Sequence, residues 1–156
     1  MAKHLFLVLA FIIAEPAIGE TIEVESKGHY VPLNEPARIE LGDGREAYSG
    51  YRRHITAIGK GGRIESHWCS GTNVGSNADA KDEFGAGYCT VFDEDGDAYW
   101  TWFVINEQGL EWTVMGGTGK YKGSSGNGVS TPTTPLQDGT AVFNITGKIE
   151  LLDDAE

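Results

Sequence analysis

The hydrophobic residues of the chain fall in short runs separated by glycine-rich breaks. Runs at residues 53–58, 63–71, 88–92, 98–105, 110–115 and 141–151 are rich in β-branched and aromatic residues. Between and around them stand Gly42-Asp43-Gly44, Gly59-Lys60-Gly61-Gly62, Asp95-Gly96, Gln108-Gly109, Gly116-Gly117 and Asp138-Gly139. This spacing leaves no room for helices and predicts an all-β antiparallel meander of about six to eight strands. A meander of that length must hide its edge strands, and closing the sheet removes them altogether. The expected fold is therefore one all-β domain over residues 20–156, a closed antiparallel β-barrel of about eight strands whose internal cavity has room for one small ligand.

The run at residues 98–105 sharpens this picture. Period-2 alternation puts Trp100, Trp102 and Val104 on one face and Tyr99, Phe103 and Ile105 on the other. Both faces are apolar, so both should be covered. The lumen would cover one; another subunit, or the N-terminal segment 20–45, would cover the other. Trp100 and Trp102 are taken as lumen lining, with Tyr121 turned inward beside them and His67 and Glu65 as the polar groups among the rings.

The first residues read as an address. Lys3 and His4 precede an apolar run at residues 5–14, followed by Glu15, Pro16 and the small-x-small triplet Ala17-Ile18-Gly19. As a helix this run spans only ~15 Å, about half of a hydrocarbon core, so a secretory signal peptide over residues 1–19, cleaved after Gly19, is expected in place of a membrane anchor. The mature chain would be secreted or periplasmic. Its two cysteines, Cys69 and Cys89, then meet an oxidising environment and read as one disulfide between two strands, 63–71 and 87–93, across a polar, glycine-rich loop. Closing a loop of that length is worth ~3 kcal/mol. The rival reading is a Cys69 thiolate with His67 on the same strand face as its base.

Charge removes several function classes. The 156 residues carry 12 Lys and Arg against 23 Asp and Glu, a net charge of −11. No basic cluster offers a footprint for nucleic acid or for an anionic membrane surface. Among candidate metal ligands, His29, His54 and His67 lack any paired spacing. In Asp93-Glu94-Asp95-Gly96-Asp97 the glycine stands fourth where a calcium loop needs it sixth, and the twelfth position is Val104, so an Asp-Gly hairpin turn explains the run without an ion. No metal and no cofactor are expected. Gly119-Lys120 is followed by Tyr121 where a phosphate loop needs Ser or Thr and a helix. The glycines of this segment are expected to let a strand bend around the barrel rim.

The run from Trp112 to Gly126, WTVMGGTGKYKGSSG, resembles the GGTGKYxGxxG signature of the allene oxide cyclase barrel-like proteins, the group that includes plant dirigent proteins and many bacterial exported proteins. Upstream, CTVFDEDGD from Cys89 to Asp97 is similar to the hairpin that precedes this signature, and Asp138-Gly139-Thr140 leads to a closing strand as theirs does; the likeness spans residues 63–151. It implies an eight-stranded antiparallel barrel with an internal cavity, often assembled as a trimer. Members of the group steer the cyclisation or coupling of a reactive small molecule in the lumen, by confinement more than by covalent chemistry. None of their active groups is matched to a residue here. Glu23, Glu25, Glu65 and His67 are the available acid–base side chains, and a solvated strand face is the simpler account of each.

The expected function is an exported barrel that binds a small apolar or aromatic molecule. Two alternatives stand beside it: a cyclase-like or dirigent-like protein that shapes a reactive intermediate, and an interaction module whose barrel is fully packed and whose outer apolar face forms a homo-oligomer, such as a homotrimer.

Overall fold

The computed structural model describes residues 18–42, 44–76, 79–107, 109–138 and 140–153, so residues 1–17 of the expected leader lie outside the described residues. Among the described residues nine strands follow one another: β1 (Ile18–Pro32), β2 (Ala37–Glu40), β3 (Arg45–Gly59), β4 (Ile64–Ser76), β5 (Asp79–Asp93), β6 (Ala98–Asn106), β7 (Gly109–Gly117), β8 (Ser125–Pro135) and β9 (Ala141–Leu152). Consecutive strands from β3 to β9 pair antiparallel, β9 pairs with β1, and β1 returns to β3 over the register Ser26↔Gly59 to Pro32↔Arg53. That last pairing shuts eight strands into a barrel. The short β2 lies outside the ring and extends the same edge of β3 beyond the end of β1, from Ala37↔Ser49 to Glu40↔Glu46.

Two expectations change here. The segment 20–45 does not cover the outside of the barrel; its first part is the barrel strand β1. Ile22, Val24, Ser26 and Gly28 alternate with exposed Thr21, Glu23, Glu25 and Lys27, a period-2 pattern with few large apolar side chains to announce it. The second change concerns the stretch between the cysteines, expected as a loop. It is mostly strand: β4 and β5 stay paired past Gly71↔Gly87 to Val74↔Phe84, because antiparallel neighbours keep exchanging backbone hydrogen bonds wherever small residues let them approach. Cys69 and Cys89 are direct partners in this ladder, joined by a disulfide with a Cα–Cα distance of 4.0 Å, and no cysteine among the described residues is free. The thiolate reading of Cys69 therefore falls.

The interior is filled by rings resting on glycines of neighbouring strands. Phe103 on β6 lies over its partner Gly87 on β5, and a Cβ added at Gly87 would stand 2.5 Å from Phe103 Cζ. Trp112 on β7 lies over Gly128 on β8 and Gly147 on β9, where added Cβ atoms would overlap the indole. Tyr51 on β3 covers Gly71 on β4 in the same way. Phe103, Trp112 and Tyr51 are all buried, each removal of such a ring from water being worth about 2–3 kcal/mol.

The segment after β7 seals one end of the barrel. The strand expected to follow Lys120 is preceded by a single 3₁₀ turn, Gly119–Tyr121, which brings Tyr121 to complete burial. Its hydroxyl donates to Asp93 Oδ2 at 3.1 Å, and its ring packs tilted against Tyr99 with centroids 4.8 Å apart. Lys120 Nζ reaches Asp93 at 2.6 Å and Asp95 at 2.7 Å, while its backbone N–H donates to Asp97. Gly119, at φ 50°, stands where any Cβ would overlap the Asp97 carboxylate. The acidic β5–β6 hairpin is thus occupied by the Gly-Lys-Tyr turn. Burial by itself would raise the Asp93 carboxyl, but the hydrogen bonds from Lys120 and Tyr121 outweigh it and hold the group below its ordinary value.

Two substitutions test this packing. Gly128→Ala drives a methyl into Trp112 and is expected to cost about 2–3 kcal/mol in urea unfolding, without changing the far-ultraviolet spectrum of the folded state. Lys120→Met leaves Asp93, whose side chain is 1% exposed, without its cation and is expected to cost about 3 kcal/mol. A loss within about 0.5 kcal/mol, the range of an ordinary surface substitution, would show that the lock is not what seals this end.

Candidate functional site

Above the sealed end a buried polar group crosses the barrel floor. Glu65, on β4 and 2% exposed, accepts from Arg63 Nη2 at 2.6 Å, from Tyr99 Oη at 3.2 Å and from His67 Nε2 at 3.2 Å. Burial pushes the Glu65 carboxyl up, but the hydrogen bond and charge of His67, with Arg63 and Tyr99, more than offset this and keep it below its ordinary value. The same burial, reinforced by the Glu65 charge, raises the Tyr99 hydroxyl well above its usual range. An ionised carboxylate only accepts, so Nε2 of His67 must carry a hydrogen toward Glu65, and Nδ1 is the nitrogen left for anything in the lumen.

From this floor to the opposite end runs a cavity of about 70 Å³. Phe103, Trp112, Ile55, Ile145 and the Cys69–Cys89 disulfide make its apolar wall. Thr101, Ser130 and His67 are the small polar groups among them. Its outer end is framed by half-buried Tyr30, Arg53, Leu110 and Phe143. Tyr30 meets Phe143 edge-on at 5.6 Å, and the Arg53 guanidinium lies 4.8 Å from the Tyr30 ring and 4.4 Å from the Tyr51 ring. Trp112 Nε1 is buried with no hydrogen-bond partner.

The structure separates the residues grouped from the sequence. His67 is in the cavity wall, and Glu65 is buried behind it, so the simpler account of these two as a solvated strand face does not hold. Tyr121 is buried but belongs to the sealed end. Trp100 and Trp102 point the other way: they are 43% and 45% exposed on the outer face, while Tyr99, Thr101 and Phe103 of the same strand line the lumen. Alternation shows which residues share a face and is silent on which face is inside. Glu23 and Glu25 are exposed on β1, away from the cavity. Reasoning from the sequence missed Tyr51, Arg53, Thr101, Ser130 and Phe143. The cysteines could have found Thr101, since it is the direct partner of Cys89 and must share its face.

Among the described residues no group of three or more metal-ligating side chains converges. Outside the barrel, Trp68, Tyr88, Trp100, Trp102 and Met115 form an exposed band over β4 to β7. No helix of the described residues is long and apolar enough to cross a membrane.

Neither a protein-family model nor a curated protein sequence matches the chain. Among solved structures, the pterocarpan synthase dirigent protein PsPTS1 matches with a TM-score of 0.57 over 88% of this chain and 99% of that one, at 11% sequence identity. The chain thus has a dirigent-like barrel fold, as the glycine-rich signature implied.

The Glu65 group makes a prediction in acid. Its folded-state carboxyl lies below the ordinary 4.5, and that of Asp93 below the ordinary 3.8, so the unfolded chain binds more protons there. Their stabilisation is complete above those ordinary values and is lost as pH falls through the lower folded ones. Urea unfolding from about pH 6 down to pH 2.5 should therefore show stability falling with acid, and Glu65→Gln should flatten the Glu65 share of that fall while costing about 3 kcal/mol near neutrality, from the loss of a buried charge partner. A Glu65→Gln variant with wild-type stability and an unchanged acid profile would refute the network.

Proposed function

We propose that this protein is an exported barrel that binds one small apolar or aromatic molecule in its lumen. The observation that carries this reading is the cavity: it is sealed at one end by Tyr121, walled by aromatic and aliphatic side chains, and supplied with a few convergent polar groups. Export is supported by the signal-like pattern of residues 1–19 and by the formed disulfide, which belongs to an oxidising compartment.

A second reading, steering of a reactive intermediate in the manner of a dirigent protein, is favoured by Glu65 and His67. A carboxylate that fixes the tautomer of an imidazole at a lumen wall is an arrangement suited to moving a proton on a confined molecule. The match in fold to a protein titled pterocarpan synthase is consistent with it. The exposed aromatic band on β4 to β7 supports self-association of the chain, compatible with either reading.

Native mass spectrometry of protein purified from its own host tests the binding reading directly. A noncovalent small-molecule adduct that dissociates on collisional activation is expected, together with a mass that reports how many copies assemble. A bare chain in repeated preparations would count against a resident ligand.

A further inference from the structure

Arg53 sets the chemistry of what the lumen takes. Carboxylates outnumber cationic side chains by nearly two to one, 23 to 12, and the other partly buried guanidinium among the described residues, Arg63, is paired with Glu65. Exposed Arg38 is likewise paired with Glu46. Arg53 is different. It lines the cavity, is held against the faces of Tyr30 and Tyr51, and has no carboxylate within 4.0 Å among the described residues. The carboxylate nearest the lumen, Glu65, is already spent on three donors. A half-buried guanidinium whose central carbon lies over two rings, with no carboxylate beside it, has N–H donors to offer, and those donors match a planar oxyanion.

We propose that the lumen is a site for a small aromatic carboxylate, its ring among Phe103, Trp112 and Phe143 and its carboxylate on Arg53. This rests on the lumen being a ligand site at all, and goes beyond it by assigning charge and shape. One guanidinium matches a monoanion; the second charge of a phosphate monoester would stay uncompensated in a chain that is already strongly anionic. The ring follows from the lining, since Phe103, Trp112 and Phe143 present aromatic faces on which an aromatic ligand packs. The disulfide beside Arg53, through the pair Arg53↔Cys69 and Cys69↔Cys89, holds β3, β4 and β5 in register at this depth, so the guanidinium is presented on a fixed wall.

Isothermal titration calorimetry on the intact protein, with benzoate and its neutral analogue benzyl alcohol, tests the assignment. Benzoate is expected to bind at least about tenfold more tightly than benzyl alcohol, and Arg53→Met to erase that difference while changing the affinity for benzyl alcohol by less than about twofold. Raising sodium chloride from about 20 mM to about 500 mM in the wild-type protein should weaken benzoate several-fold and leave benzyl alcohol unaffected, a measurement that holds even where Arg53→Met folds poorly. Equal binding of the two probes, insensitive to salt, overturns the anion site and leaves the lumen reading standing. No binding of either probe overturns both.

Discussion

The inside of an eight-stranded barrel has a short circumference, and every large inward side chain must find its volume there. In this protein the volume comes from glycine. Phe103 lies on Gly87, Tyr51 on Gly71, and Trp112 on Gly128 and Gly147, each ring taking the space that the facing strand leaves by lacking a Cβ. The rest of the structure depends on this exchange. It lets several rings share one lumen without forcing the strands apart, and it leaves a cavity where the rings do not quite meet.

The same economy divides the barrel lengthwise. At one end the Gly-Lys-Tyr turn is bound by the acidic β5–β6 hairpin, and Tyr121 fills the axis. Just above, the Glu65 group carries the polar atoms that a closed apolar tube would otherwise leave unsatisfied. Beyond it the lining turns aromatic and ends at Arg53 and Tyr30, the half-buried end through which a ligand would enter. Sealed floor, polar base, apolar wall and cationic rim follow in that order along the axis, and each is built from residues on different strands.

Much of this architecture was legible beforehand, and the exceptions have physical causes. β6 declares itself by a run of aromatic and β-branched residues and β7 by alternation. β1 and β8 do not, because their inward positions include Ser26, Gly28, Gly128 and Ser130, the small residues that make room for rings elsewhere; Pro132 and Pro135 further disguise β8. The glycine-rich signature was readable as backbone freedom in place of an anion cradle, and Gly119 takes a left-handed φ of 50°. The acidic hairpin read as a turn, but its partner Lys120 lies 25 residues beyond Asp95, and no local pattern announces a contact over that separation. Arg53 gave no signal at all: beside Arg52 it looks like any charged strand position.

By itself, the sequence determined the strand period, most of the turns and the sets of residues that share a face. Which face became the interior was decided only by the tertiary structure. Exchanging the two sides of a strand leaves its alternation unchanged, and both sides of β6 are apolar. Closure broke that symmetry: Cys89 faces Cys69 inside, Thr101 pairs with Cys89, and Tyr99 and Phe103 therefore turn inward onto Tyr121 and Gly87 while Trp100 and Trp102 are left outside.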